Sequence, residues 1–289
     1  MHKTTLLNGN MLAKDLQRHI KNKITLRARQ GIPTPGLCTI LVGNDAASEI
    51  YVRNKIRSAQ EVGIKSFHHQ LPLSTSEQEL ISLLNKINND SAINGVLVQL
   101  PLPKTMDTLR VNSSMHPDKD VDGFHPINMG KLVLGEPGLI PCTPKGCIAL
   151  LNAYNISMTG AHAVIVGASN IVGKPLAHLL LLNKATVTLC HVHTKDLAAI
   201  TKTADILASA TGKAHLIGVE HVKQGTVIID VGVNRQASGK LVGDVDMLAV
   251  WDKVSAITPV PGGVGPMTIT MLMKNTVMAA KLGAGLMKI

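Results

Sequence analysis

Apolar and polar positions alternate from Leu37 onward in blocks that predict a β-α-β-α-β order. The predicted strands are LCTILVG, SFHHQL and GVLVQL, and the predicted helices are residues 46–62 and EQELISLLNKIN. Upstream, NMLAKDLQRHIKNKITLRARQ has helical spacing with its basic residues on the outer face. Such alternation is typical of a parallel sheet with right-handed crossover helices.

A second alternating block begins with AVIVGASNIVGKPLAHLLLLN and continues with predicted strands in ATVTLCHV, ADILASA and TVIIDVGV. In its first segment a strand ends at Gly167, and Gly173 precedes an apolar helix. This resembles a dinucleotide-binding turn, in which helix N–H groups receive a pyrophosphate, although only the outer glycines of G-x-G-x-x-G are present.

The Gly/Pro-rich segment LGEPGLIPCTP separates the two blocks and predicts a domain boundary. After it, Thr143 as N-cap and Pro144 at the first helical position predict a helix that runs to Tyr154. Near the end of the chain, AITPVPGGVGP at residues 256–266 predicts either a closely packed, ligand-facing loop or a plain connector before a last helix.

The predicted helix 46–62 carries two stripes of side chains between an N-cap at Asp45 and a terminating glycine, Gly63. The apolar stripe consists of Val52, Ile56 and Ala59. The polar stripe consists of Ser48, Tyr51 and Lys55. The polar stripe either faces a cleft with a hydroxyl, a phenol and an amine, or is a solvated face with one aromatic residue.

Polar residues follow the apolar strand GVLV. Gln99 interrupts VLVQLPLP where the sheet ladder must stop, so it either marks a solvated rim or faces a ligand at the strand end. In DKDVDGFHP, Asp120 and Asp122 flank one valine and Gly123 allows a tight turn. These aspartates form either a paired-carboxylate site or a turn with solvated side chains.

Length and composition narrow the class of protein. A chain of 289 residues that is 45% hydrophobic predicts two domains, and neither a signal peptide nor a membrane-length apolar run is present, which favours a cytoplasmic protein without a membrane partner. The four cysteines form no C-x-x-C pair and are predicted to be free thiols. No metal motif is present. His191 and His193 are predicted to share a strand face with a structural or phosphate-contacting role.

The net charge of +10 raises the possibility of a nucleic-acid partner. Its basic residues are scattered and only five aromatic residues are available for stacking, so a small anionic ligand explains the charge more simply. A NAD site would offer an acid about twenty residues past the glycine turn. The segment HVHTK, from His191 to Lys195, offers none, which favours NADP without excluding NAD.

Six segments in one order resemble the bifunctional methylenetetrahydrofolate dehydrogenase/methenyltetrahydrofolate cyclohydrolase family. They are SEIYVRNK, VLVQLPLP, DVDGFHP, PCTPKG, VGASNIVGKP and TPVPGGVGPMT, and together they cover essentially the whole chain. The resemblance implies an α/β protein in which an N-terminal catalytic domain and a Rossmann-like NADP-binding domain face each other across a folate cleft. The implied domains are 1–140 with the C-terminal helix 267–289, and 141–266.

The resemblance also implies two reactions of one-carbon metabolism and a homodimer that serves purine, methionine and histidine biosynthesis. Methylenetetrahydrofolate is oxidised with NADP, and water then opens the methenyl product to formyltetrahydrofolate. The implied catalytic residues are Lys55, Gln99, Tyr51 and Asp122. The implied folate contacts are Tyr51, Ser48, Asp122, Gly262, Gly263 and Pro266. Cofactor contacts are predicted at Gly167, Ala168, Ser169, Gly173, His191 and Val233, and no metal is predicted.

In this resemblance, Lys55 manages protons with Gln99 as its hydrogen-bond partner, and Asp122 anchors the pterin. Some family members carry an arginine where this chain has Ala168 and Val192, which bears on the choice between NADP and NAD. Two alternatives remain open: a monofunctional NAD-dependent dehydrogenase, and a non-catalytic nucleotide- or RNA-binding protein.

Overall fold

The computed structural model describes residues 4–283, which divide into two units. Residues 15–142 and 269–283 form what we call the three-stranded unit, and residues 4–14 and 143–268 form the six-stranded unit. All strand pairs within these two sheets are parallel. The predicted α/β class with two domains is therefore confirmed.

In chain order, the strands are β1 (Thr5–Leu6), β2 (Gly36–Val42), β3 (Lys65–Leu71), β4 (Gly95–Val98), β5 (His162–Val166), β6 (Thr186–Cys190), β7 (Ile206–Ser209), β8 (Val227–Asp230), β9 (Asn234–Arg235), β10 (Leu241–Val242) and β11 (Ala256–Ile257). The helices are α1 (Gly9–Arg29), α2 (Ala46–Val62), α3 (Glu77–Asn88), α4 (Thr108–Ser113), α5 (Pro126–Leu134), α6 (Cys142–Ala153), α7 (Gly173–Leu182), α8 (Leu197–Thr201), α9 (Met247–Val250) and α10 (Val264–Leu282). Single 3-10 turns span Pro117–Lys119 and Val219–His221.

The three-stranded unit has the strand order β3-β2-β4. Every residue of the central strand β2 is buried, which explains its continuous apolar sequence. From β2 the chain crosses first to β3 on one side and later to β4 on the other, so the order reverses between β2 and β4. Open α/β sheets bind ligands at the carboxyl ends of strands at such a reversal.

Helix α2 begins and ends at the predicted residues because both of its signals are local. The Asp45 side chain accepts a hydrogen bond from the Ser48 N–H at 2.8 Å, and Gly63 has φ of 89°, the left-handed conformation that ends the helix. These hydrogen bonds from Ser48 hold the pKa of the exposed Asp45 carboxyl below its usual value. On the inner face Val52 and Ala59 are buried as predicted.

The six-stranded unit has the order β1-β11-β8-β7-β5-β6. Here the chain runs from β5 to β6 on one side and then returns to β7 on the other, so the reversal lies between β5 and β7. Its hydrophobic core is continuous from Val164 on β5 through Leu207 on β7 to Ile228 on β8. This unit therefore presents a second ligand-binding edge where β5 and β7 end.

The structure differs from the prediction at three boundaries. Residues 4–14 group with the six-stranded unit, and not with an N-terminal domain 1–140, because β1 pairs with β11. The helix predicted to start after Thr143 starts at Cys142, so Pro144 lies inside its first turn, where its missing N–H leaves no hydrogen bond unmade. The last helix starts at Val264 and is described as far as Leu282, and residues 284–289 of the predicted helix lie outside the described residues.

All four cysteines are buried free thiols, as predicted. Burial raises the pKa of the Cys38 and Cys147 thiols to about 12. Both are therefore neutral packing residues at physiological pH. Over residues 4–283, no helix combines the length and apolarity required to cross a membrane.

Candidate active site

An amine and a carboxamide meet where the strand order of the three-stranded sheet reverses, between β2 and β4. Lys55 is 9% exposed on α2, and its Nζ donates a hydrogen bond to Gln99 Oε1 at 3.0 Å, which is the predicted pairing. A lysine this buried has lost most of its hydration, so its ammonium depends on the polar groups around it. The position of Lys55 Nζ is thus fixed by a specific neutral acceptor.

Gln99 is fixed by both its backbone and its side chain. Strand β4 ends at Val98, one residue earlier than Gln99, yet the Gln99 N–H still donates to Ile40 O of β2 at 2.8 Å. The Gln99 Nε2 donates to Leu100 O at 2.6 Å, which leaves Oε1 directed at Lys55. The interpretation of Gln99 as a solvated marker of the strand end was therefore wrong.

The other members of the polar stripe on α2 differ in exposure. Ser48 is 5% exposed and Tyr51 is 45% exposed, so the stripe runs from a buried hydroxyl to an open aromatic ring. A stripe that contains a buried serine and a buried lysine is not a solvated helix face, so that alternative was also wrong. An exposed ring beside a buried amine offers a stacking surface for a planar ligand.

Asp120 and Asp122 have different environments. Asp120 is fully buried, and its carboxylate accepts hydrogen bonds from Gly123 N at 3.0 Å, His125 N at 2.7 Å and Asn128 Nδ2 at 2.9 Å. Burial nevertheless raises its pKa. Because its oxygens hold the turn together, Asp120 belongs neither to a paired-carboxylate site nor to a solvated turn, and both interpretations were wrong for it.

Asp122 is the aspartate that lies near Lys55. Burial raises the pKa of the Asp122 carboxyl, while the positive charge of Lys55 and a hydrogen bond from Cys142 act in the opposite direction. An amine, a carboxamide and a carboxylate are therefore neighbours within the three-stranded unit. This group can hydrogen-bond a polar ligand and exchange a proton with it.

Two residues that sequence reasoning missed position the backbone beside Asp122. The Cys142 thiol donates to Val121 O at 3.2 Å, and Asn275 Nδ2 donates to Val121 O at 2.8 Å and Ile140 O at 2.9 Å. Asn275 is fully buried on α10. The available signal was the interruption of the apolar run MTITMLMKNTVMAAKLG by this polar residue.

The turn after β5 brings backbone atoms so close that Gly167 and Gly173 have no room for side chains. A Cβ on Gly173 would lie 1.7 Å from Gly167 O, and a Cβ on Gly167, whose φ is 112°, would lie 2.3 Å from Ala210 O. The Ser169 hydroxyl accepts a hydrogen bond from Val172 N at 3.1 Å. A backbone-lined turn at the start of the ten-residue helix α7 fits a dinucleotide pyrophosphate.

The segment after β6 differs from its prediction. β6 ends at Cys190, so His191 and His193 lie in an exposed turn and do not share a strand face. The His193 N–H donates to His191 Nδ1 at 3.2 Å. The first acid beyond this segment, Asp196, accepts a hydrogen bond from Ala199 N as the cap of α8. The turn therefore presents histidines and Lys195 to a ligand.

Five further predicted positions lie in the six-stranded unit. Ala168 follows Gly167 in the turn, and Val233, which is 44% exposed, follows β8. In the loop before α10, Asn10 N donates to Gly262 O at 3.0 Å, and a Cβ on Gly9 would lie 1.8 Å from Gly263 O. The predicted close approach of this loop is present, and Pro266 lies in the first turn of α10.

Among residues 4–283, no three His, Cys, Asp or Glu side chains are grouped so that they could hold a metal ion. The six-stranded unit carries a glycine turn of the dinucleotide-binding type where its strand order reverses. The three-stranded unit carries a buried lysine with polar partners where its strand order reverses. These features define the class as an α/β enzyme with a nucleotide-binding unit.

Comparison with known proteins identifies the family. Residues 7–122 match the catalytic domain of tetrahydrofolate dehydrogenase/cyclohydrolase, and residues 141–284 match its NAD(P)-binding domain. The protein from Halalkalibacterium halodurans named Bifunctional protein FolD is 52% identical over 276 residues, covering 96% of this chain and 98% of that protein. The chain therefore belongs to the tetrahydrofolate dehydrogenase/cyclohydrolase family.

Two solved structures agree. The bifunctional FolD methylenetetrahydrofolate dehydrogenase/cyclohydrolase from Campylobacter jejuni is 48% identical with a TM-score of 0.95, covering 96% of this chain and 99% of that chain. The enzyme from Trypanosoma brucei complexed with NADP and an inhibitor is 34% identical with a TM-score of 0.94, covering 98% and 99%. Both likenesses extend through the two units.

Proposed function

We propose that this protein oxidises methylenetetrahydrofolate with NADP and hydrolyses the methenyl product to formyltetrahydrofolate, with Lys55 as the residue that handles protons in hydrolysis. The hydrogen bond of 3.0 Å between buried Lys55 and Gln99, at the strand reversal of the three-stranded unit, is the observation that carries this proposal. Family membership and the match to both domains support the two reactions.

The oxidation requires positioning more than acid-base chemistry. Loss of hydride from a carbon between two nitrogens gives a cation stabilised by resonance, so the protein must mainly hold the folate in register. NADP, when bound, supplies the acceptor for that hydride. Tyr51 offers a partly exposed ring for stacking on the folate, and buried Ser48 lies on the same helix. The Asp122 carboxylate accepts hydrogen bonds from the pterin N–H groups.

The hydrolysis requires a proton to leave the attacking water and another to reach the departing ring nitrogen. Lys55 Nζ is the group we assign to both transfers, because its hydrogen bond to Gln99 Oε1 fixes its position and burial removes it from competing water. Gln99 has no charge to trap the ammonium as a salt bridge. A carboxylate in its place would hold the proton more firmly on Lys55.

For the cofactor, we assign Gly167, Ala168, Ser169 and Gly173 to the pyrophosphate, His191 to the phosphate-bearing ribose and Val233 to the neighbouring wall. The absence of an acid between His191 and Lys195 supports NADP over NAD. The Trypanosoma brucei relative complexed with NADP supports the same choice. Gly262, Gly263 and Pro266 are assigned to the folate, from the likeness of TPVPGGVGPMT to the family motif.

We extend the proposal to the biology of the chain. It acts in the cytoplasm as a homodimer, without nucleic-acid or membrane partners, and supplies one-carbon units for purine, methionine and histidine biosynthesis. The residues assigned to proton transfer lie in the three-stranded unit, and the residues assigned to the dinucleotide lie in the six-stranded unit. Sedimentation of the purified protein tests the dimer, and a sedimentation coefficient of a monomer at working concentration would contradict it.

The decisive experiment measures both reactions in one purified preparation, with NADP and NAD compared by kcat/KM. We expect NADP-dependent formation of the methenyl chromophore and its hydrolysis, with NADP preferred. Oxidation with NAD alone and no hydrolysis would favour the monofunctional dehydrogenase. Salt-sensitive RNA binding without either reaction would favour the binding protein.

A further inference from the structure

Two buried carboxyl groups in the six-stranded unit have no part in the chemistry described above. Asp230 ends β8 and is 3% exposed, and Asp244 follows β10 and is fully buried. The hydrogen bonds found for them come from backbone N–H groups and neutral side chains and not from lysine or arginine. Burial of carboxyl groups without a cation is costly, and is tolerated where every oxygen is hydrogen-bonded.

Asp244 bonds to two separate segments of chain. Its Oδ2 accepts hydrogen bonds from Ser209 Oγ at 3.1 Å, Thr211 N at 2.6 Å and Thr211 Oγ1 at 2.9 Å, all at the end of β7. Its Oδ1 accepts from Asn234 Nδ2 at 3.0 Å, after β8. One carboxylate therefore fixes the distance between the loops that follow two neighbouring strands.

Asp230 in turn holds Asp244 in place. Its Oδ1 accepts hydrogen bonds from Gly232 N and Asp244 N, each at 3.0 Å, and its Oδ2 accepts from Val245 N at 2.9 Å. The Asp230 N–H donates to Thr258 Oγ1 at 2.8 Å, which secures the end of β8 itself. The side chain of Asp230 thus orients the backbone that carries Asp244.

Glycines give both carboxyl groups access to the backbone. A Cβ on Gly232 would lie 2.0 Å from Asp244 Oδ1, and a Cβ on Gly243 would lie 1.8 Å from Asp230 Oδ2. No side chain fits at either position without displacing a carboxyl group. The packing leaves little freedom in where either group can sit.

The two loops held by Asp244 adjoin the cofactor positions. Thr211 follows Ala210, and the Ala210 carbonyl oxygen occupies the position that a side chain on Gly167 would take. The first loop therefore packs directly against the glycine turn. Asn234 follows Val233 on the other loop. Both loops leave the carboxyl ends of their strands, the edge at which parallel sheets bind ligands.

We propose that Asp244, held by Asp230, is a positioning residue for the dinucleotide: it sets the separation between segment 210–212, which packs against the glycine turn, and segment 232–234, which contains Val233. This inference rests on the proposed function for the presence of a dinucleotide. It adds the residues that hold the two loops of the site at a fixed separation. Neither aspartate touches the reacting atoms in this account.

The test replaces Asp244 by Asn. The side chain keeps its size, but one carboxylate oxygen becomes an NH2 group, which cannot accept the hydrogen bonds that this oxygen accepts in wild type. We expect the Kd for NADP, measured by calorimetry, to rise about tenfold or more, in line with the loss of a charged acceptor. The KM for NADP should rise with it, while kcat at saturating NADP stays within about twofold, since a positioning loss is recovered once cofactor is bound. Asp252→Asn, an exposed change in the same unit, is the matched control.

Hydrolysis of methenyltetrahydrofolate is the internal reference, because that reaction needs no dinucleotide. It should be unchanged in Asp244→Asn. Should this variant fail to fold, Asn234→Ala removes only the bond to the second loop and is expected to raise the Kd about threefold. An unchanged Kd in a folded variant would overturn the inference, as would an equal loss of NADP binding and hydrolysis. A wild-type protein without either reaction would instead refute the proposed function.

Discussion

The two strand reversals of this molecule use different kinds of atoms. In the three-stranded unit, ionisable and hydrogen-bonding side chains lie where the strand order reverses, namely Lys55, Gln99 and Asp122. In the six-stranded unit the reversal is occupied by backbone, with Gly167 and Gly173 packed so closely that no side chain fits. Proton transfer needs a titratable group in a set position, whereas a pyrophosphate needs N–H groups and space. Under the proposed function, the same reversal of strand order would serve catalysis in one unit and cofactor binding in the other.

This comparison predicts that single substitutions separate folate chemistry from NADP binding. Changes at the first reversal should impair folate chemistry and spare NADP binding, and changes at the second should do the opposite. The following variants test that separation.

The largest effect is expected for Lys55→Met. The amine is removed while most of the buried side-chain volume is kept, so methenyl hydrolysis should fall by about 10²–10⁴, the usual contribution of a general acid-base group. Stopped-flow loss of the methenyl absorbance measures it. Arg53→Met, an exposed cation on the same helix, is the control. Hydrolysis within about threefold of wild type would remove Lys55 from the mechanism.

Next in size is Gly173→Ala. The new Cβ would lie 1.7 Å from Gly167 O, so the turn must open, and NADP binding should weaken by about a hundredfold. Calorimetric titration with NADP measures the loss, and retained hydrolysis shows that the protein is folded. Gly130→Ala, where nothing lies within 4 Å of the added Cβ, should leave both unchanged. Wild-type affinity in Gly173→Ala would refute the backbone-lined pyrophosphate site.

Asp122→Asn should give a smaller, pH-dependent effect. Burial raises the pKa of this carboxyl, so its charge is lost at a higher pH than for an ordinary aspartate. In wild type the KM for the folate should therefore rise as the pH falls, because the Asp122 carboxylate becomes protonated. In Asp122→Asn the KM should be about tenfold higher than in wild type and should not change with the protonation of residue 122. Initial rates measured over a series of pH values give the folate KM of both proteins. A KM in the variant that follows pH as in wild type would contradict the anchoring role.

The smallest effect concerns the stability of the six-stranded unit. Burial raises the pKa of Asp230 from its usual 3.8 to about 7. The protonated form is thus favoured by folding, and its contribution to the free energy of unfolding is complete below pH 3.8 and is lost as the pH rises through about 7. In Asp230→Asn the free energy of unfolding should decrease less as the pH rises through this range. Urea unfolding at a series of pH values compares the two proteins, and parallel pH profiles would contradict the assignment.

Local signals predicted the ends of helix α2 and the polar stripe on it. The ends of α2 depend on Asp45 and Gly63, which act within one turn of the helix. The polar stripe that carries Lys55 follows from helical spacing once those ends are known. Gln99 was recognisable because a carboxamide at the end of a buried strand is exceptional in an otherwise apolar run.

Long-range contacts account for the errors. β1 pairs with β11, about 250 residues along the chain, so its place in the six-stranded sheet has no local signal. Asp120 and Asp122 are equivalent in sequence, and only the partners Asn128 and Lys55 distinguish them. Asp244 escaped notice for the same reason, because its partners Ser209 and Asn234 lie on other strand ends.

The ratio of hydrolysis to NADP-dependent oxidation, measured in Lys55→Met and Gly173→Ala beside wild type, tests the separation of the two reversals most directly. The ratio should fall by about tenfold or more in Lys55→Met and rise by a similar factor in Gly173→Ala at subsaturating NADP. A ratio that moves in the same direction in both variants, or stays constant in both, would contradict the account.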